Sequence, residues 1–162
     1  MSDAANFLIE GRGDVIDVLR QLLVASANAG VRELRCVDAN FVDWPLDDSS
    51  VLDALVRWAR PPGRMLCFIA QDFDALARKH PRFTAWRRDW AHRFEALQPI
   101  DLAGAELPTL LWAGMQGVEL LDRERWRARW LRDPAELRAR KEEFEAIAQR
   151  CEPAWPSTTL GL

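Results

Sequence analysis

The chain has 162 residues, 49% of them hydrophobic and 29% charged, with a formal net charge of −3. That length suits a single domain, and that balance excludes both a disordered chain and an apolar run long enough to cross a membrane. Two histidines and three cysteines, none of them at ligand spacing, leave no legible metal site or disulfide framework, so neither metal nor cofactor is expected.

Phe7-Leu8-Ile9 predicts a short strand. Gly11-Arg12-Gly13-Asp14 then turns the chain into a helix over about 14–29, with Val15, Val18, Leu19, Leu22 and Leu23 at helical spacing and Gly30 placed to end it. Residues 33–38 alternate polar and apolar, which predicts a second strand. Asp47, Asp48, Ser49 and Ser50 offer caps for a helix over about 50–60 with Leu52, Leu55, Val56 and Ala59 inward, stopped by Pro61-Pro62-Gly63. Residues 64–70 form a nearly continuous apolar run, the pattern of a strand buried on both faces. This β-α-β-α-β alternation implies a parallel sheet with right-handed helical crossovers. A helix over 72–79 follows, and Pro81 opens another that is expected to run to about residue 96.

After residue 97 the pattern changes. Residues 107–112 and 118–121 predict two strands joined by the turn Gly114-Met115-Gln116-Gly117, and residues 126–130 a third. Asp133-Pro134-Ala135-Glu136 starts a final helix with Leu137, Phe144, Ile147 and Cys151 on one face and the pairs Arg138–Glu142 and Lys141–Glu145 on the other. The expectation is one α/β domain over residues 1–152 with an extended tail over 153–162. Its mixed sheet has a parallel N-terminal part and antiparallel strands added after residue 97, and helices flank it.

Residues 78–93 hold six basic side chains and one acidic one, a local positive excess on an acidic protein. Arg78, Arg82, Arg87, Arg88 and His92 are the candidate contacts for a phosphate-bearing ligand, nucleic acid or partner protein, arginine serving the phosphates and tryptophan the stacking. The competing reading is a solvated helix, because Phe83, Trp86, Trp90, Phe94 and Leu97 fall on one narrow helical stripe. Asp38 and Asp43 lie beyond the C-terminal end of a parallel strand, where open α/β sheets bind ligands, and are weak candidates for magnesium. Asp47 and Asp48 are more simply helix caps. Gly11-Arg12-Gly13 opens a helix after a strand, but Ile16 stands where a dinucleotide fingerprint needs its third glycine, so a tight turn is the simpler reading. Trp44 and Trp155, beside prolines, are candidate exposed anchors for a partner.

Three stretches resemble the phospholipase D-like superfamily, in particular bacterial members that lack its active-site motif. They are Val31–Asp38 followed by Trp44-Pro45-Leu46, the hairpin strand Val118–Asp122, and the closing helix from Phe144 to Cys151. Active members carry a histidine, a lysine two residues later and an aspartate five beyond that. Here His80 is followed by Arg82 and then by Arg87, and His92 is followed by Phe94, so the resemblance does not extend to cleavage through a phosphohistidine. Active members build one site from two copies of the fold, which implies a homodimer. The expectation is a non-catalytic cytoplasmic domain that binds through residues 78–93. The alternatives are a phosphodiesterase-like enzyme with a displaced or metal-assisted site, and a structural homodimer.

Overall fold

The computed structural model describes residues 7–101 and 106–157. In chain order they form β1 (Leu8–Glu10), α1 (Arg12–Asn28), β2 (Glu33–Val37), α2 (Ser49–Ala59), β3 (Met65–Ile69), α3 (Phe73–Lys79), α4 (Pro81–Asp89) and β4 (Phe94–Pro99). Then come β5 (Leu110–Trp112), β6 (Gly117–Asp122), β7 (Arg127–Leu131), α5 (Pro134–Ala148) and β8 (Cys151–Pro153). The eight strands make one mixed sheet in the order β1-β7-β6-β5-β2-β3-β4-β8. Among the described residues no helix is long and apolar enough to cross a membrane.

The α/β architecture expected above is the one found. Strands β2, β3 and β4 pair in parallel, and the antiparallel strands lie outside them. Strand β1 runs in the same direction as these three but is four places from β2 in the sheet, paired antiparallel with β7 at the edge. The first helix therefore crosses over three antiparallel strands rather than joining neighbours.

Carboxylates begin the helices as their sequence positions suggest. Asp48 accepts from the Ser50 N–H, Asp72 from those of Asp74 and Ala75, and Asp133 from that of Glu136, each satisfying helix donors that lack an internal partner. Gly30 closes α1 in the left-handed conformation, with φ 70°.

The helix expected to reach residue 96 ends at Asp89. Trp90 leaves helical geometry (φ −115°, ψ 40°), a 3-10 turn spans Ala91–Arg93, and β4 follows. The cause is non-local: Phe94 and Ala96 face inward while Glu95 faces out, and β4 supplies the second parallel edge that β3 needs. Arg93, in the 3-10 turn, donates to the Ala59 carbonyl at 2.8 Å. Cys151, expected on the last helix, opens β8 against β4. On α5, Glu145 pairs with Arg35 at 3.0 Å and Lys141 lies over the Trp112 ring.

Helices α1–α4 cover one face of the sheet over a large core. There Phe68 stacks on Phe41 and Phe83 and meets Phe94 edge-on. Helix α5 covers part of the other face through Leu137 and Phe144. The central strand β3 is therefore buried on both sides, which its apolar run demanded. Trp44 belongs to the first core, 3% exposed. Trp155 is half-buried and stacks on Phe73, so neither tryptophan is an exposed anchor.

Candidate functional site

Strand β2 has a parallel neighbour, β3, on one side and an antiparallel one, β5, on the other. At its C-terminal end the chain connections diverge, and a crevice opens where open α/β sheets accept ligands. Asp38, the first residue beyond β2, lies beside it in a narrow recess, with a side chain only 4% exposed. A buried carboxylate needs partners, and this one has four. Oδ2 accepts from the N–H groups of Phe41 (2.7 Å) and Asn40 (3.3 Å). Oδ1 accepts from the Thr109 hydroxyl and from Nη2 of Arg123. The same Nη2 also donates to the Thr109 oxygen, closing a triangle.

Arg123 sits in the turn after β6, its side chain 45% exposed. Asp38 and Thr109 hold Nη2 of the guanidinium, and the half-exposed side chain lines a cleft of about 670 Å³. Gln71, Glu106, Leu121 and Glu143 line that cleft with Thr109 and Arg123. A narrow recess behind Arg123 reaches Asp43 and Trp126. Asp43 pairs with Arg12 at 3.0 Å. The two aspartates proposed for magnesium are therefore each engaged by an arginine.

The other expected contacts lie elsewhere. Arg78, Arg82, Arg88 and His92 are exposed, spread over the end of α3, both ends of α4 and the 3-10 turn. None of them lines the crevice. Arg87 is withdrawn from the surface, 6% exposed between the rings of Phe94 and Trp155, and its Nη2 donates to the Trp155 carbonyl at 2.6 Å. Burial lowers its pKa from the ordinary arginine value. His80 is buried, its Nε2–H donating to the Phe41 carbonyl at 2.9 Å, which ties α4 to the loop that carries Asp38. Asp47 accepts from the N–H groups of Arg82 and Phe83 and so caps α4 across space. Gly11 (φ 96°) makes the expected tight turn, donating to the Trp126 carbonyl.

Two of the three thiols are buried. Burial raises Cys36 well above the ordinary thiol value, and burial followed by the neighbouring Glu95 carboxylate does the same for Cys67.

No protein-family model and no curated protein matches the chain. Solved structures do. TrmBL2, an archaeal chromatin protein described as having a novel mode of DNA binding, superposes with a TM-score of 0.66 at 14% identity, over 91% of this chain and 53% of that one. The phospholipase D family member Nuc from Salmonella typhimurium superposes with a TM-score of 0.56 at 8% identity, over 85% and 91% of the two chains. NucT from Helicobacter pylori gives 0.61 at 7% identity, over 91% and 97%. The fold is phospholipase D-like. The chain spans about half the length of the archaeal chromatin protein. Identities this low carry the fold and not the site, so the chemistry of this phospholipase D-like domain rests on its own residues.

Thr109 and Arg123 were not visible as site residues from sequence. Asp38 was, from its place after β2. The signal that joins the three is the pairing of β2 with β5, which sets Leu110 opposite Val37 and so Thr109 beside Asp38.

Proposed function

We propose that this phospholipase D-like domain binds a phosphate-bearing ligand of the nucleotide class in the crevice, without cleaving it. The observation that supports this reading is Arg123: a half-exposed guanidinium, oriented by a buried carboxylate, lining a cleft large enough for a nucleotide. A phosphate accepts from the outward donors of Arg123. Glu106 and Glu143 accept from sugar hydroxyls or base amino groups, and Leu107, Leu121 and Ile147 offer apolar contact to a base. The two glutamates, with the net charge of −3, disfavour a long polyanion and favour a single nucleotide or a short strand end.

The placement of the two histidines supports binding without cleavage through a phosphohistidine. His80 is buried on a backbone carbonyl and His92 lies outside the crevice lining. A phosphohistidine route has no histidine at Arg123.

Calorimetric titration with mononucleotides, single-stranded and duplex oligonucleotides at two salt concentrations tests the reading. The expected result is salt-dependent binding of mononucleotides or single strands, weakened at least tenfold by Arg123→Gln, with no phosphodiester product released. Absence of binding at low salt, or equal binding by the variant, overturns it.

A further inference from the structure

A second large cleft lies away from the crevice, at the β1 edge of the sheet. It encloses about 740 Å³ between Phe7 and Leu8, the end of β7 and the first turn of α5. Three independent features meet there.

The first is an unpaired cation. Arg132 lies over the ring of Trp130 (4.7 Å) and that of Phe7 (5.4 Å), which hold its guanidinium in place. Among the described residues it makes no ion pair. The acidic residues beside it are engaged elsewhere: Glu136 with Arg129 at 3.2 Å, and Asp133 on the Glu136 N–H. Arg129 is in turn taken by Glu119 at 2.6 Å. Among the described residues, Arg132 is the cation of this cleft without an ion-pair partner.

The second is an open strand edge. Among the described residues, strand β1 ends the sheet and pairs only with β7. Gly11 donates to the Trp126 carbonyl, so Gly11 and, two residues back, Ile9 direct their main-chain groups toward β7. Leu8 and Glu10 therefore direct theirs outward, where no strand of the described residues receives them. The third is apolar surface beside that edge: Leu8 is 41% exposed.

We propose that this edge takes an extended acidic peptide of a partner protein. The peptide adds as a strand to β1, bonding to the outward N–H and C=O groups of Leu8 and Glu10. It sets a carboxylate on Arg132 and an apolar side chain against Leu8. Main-chain bonds supply affinity in this mode of recognition, and the alternate side chains supply specificity. The fixed guanidinium is pre-organised for a planar, two-oxygen acceptor, which a carboxylate is.

The test is fluorescence anisotropy with a labelled hexapeptide of alternating valine and glutamate, against its valine–glutamine counterpart. The glutamate peptide is expected to bind in a salt-dependent manner and the glutamine peptide at least tenfold more weakly. Arg132→Gln should abolish that preference while leaving nucleotide titration of the Arg123 crevice unchanged. Leu8→Pro, which removes an outward N–H and no bond to β7, should weaken both peptides. Equal binding of the two peptides, or indifference to Arg132→Gln, overturns the proposal. So does concentration-dependent self-association that Leu8→Pro dissolves, because it would assign the edge to a second copy of the chain.

Discussion

The crevice at the end of β2 and the basic segment 78–93 both carry arginine, and they use it in opposite ways. In the crevice, Asp38 and Arg123 are 85 positions apart and meet. In the segment, Arg87 and Arg88 are adjacent and part company, one buried between two rings and the other in solvent. A guanidinium becomes a fixed contact where a buried carboxylate orients it. Density of arginine along the chain does not achieve this, because successive helical residues point about 100° apart.

The strongest way to break that comparison is at its anchor. Asp38→Ala removes the acceptor from two backbone N–H groups, a hydroxyl and a guanidinium at once. Bonds to charged groups and stranded buried donors set the cost at about 3 kcal/mol. Urea denaturation should show that loss, and nucleotide binding should fall with it because Arg123 is no longer oriented. A loss below about 1 kcal/mol would mean that the triangle does not order the crevice.

The sequence stated half of this. Asp38 could be singled out because the end of a parallel strand is a privileged place, and both the strand and its parallel neighbour were legible from apolar patterning. Thr109 reaches Asp38 only through an antiparallel pairing with β5, and Arg123 only through the return of the chain at the β6–β7 turn, where Trp126 adopts φ 53°. Neither leaves a local signature. The same limit explains β4: Phe83, Trp86, Trp90 and Phe94 satisfy one helical stripe as well as they satisfy a helix followed by a strand. Pairing with β3 decides between the two, and pairing is a property of the sheet.

Asp47 and Asp48 sharpen the comparison at the next level, because adjacent carboxylates serve different helices. Asp47→Ala should cost about 1 kcal/mol by uncapping α4, and it should do so without touching α2. Asp48→Ala should cost a similar amount through α2, but its effect should depend on pH. The Ser50 hydroxyl first, with help from the Ser50 N–H and Arg20, lowers the Asp48 pKa below its ordinary 3.8. Its contribution is therefore complete above that value and is lost as pH falls through the lower folded-state value. Wild type and variant should converge in stability in strong acid, whereas a pH-independent gap would assign the loss to packing.

Arg87 offers a smaller effect. Among the described residues its buried Nε and Nη1 have no hydrogen-bond partner, while the rings of Phe94 and Trp155 and one carbonyl hold the rest. A buried cation with no carboxylate contributes little that an apolar chain of the same length cannot. Arg87→Met should shift stability by no more than about 1 kcal/mol in either direction. A loss of several kcal/mol would show that the cation–ring contacts organise this end of the core.

The smallest effect belongs to the exposed members of the segment. Arg78, Arg82 and Arg88 face solvent, so replacing all three with glutamine should change stability by about 0.5 kcal/mol or less. Its value lies in the binding readout. If Arg123 carries the phosphate contact, the triple variant should titrate nucleotides as the wild type does, at both salt concentrations. If instead it loses salt-dependent binding of single strands while Arg123→Gln retains it, the dense charge of the segment is the contact after all. The crevice would then be a structural ion pair at the end of β2, and two titrations on folded protein are enough to separate these outcomes.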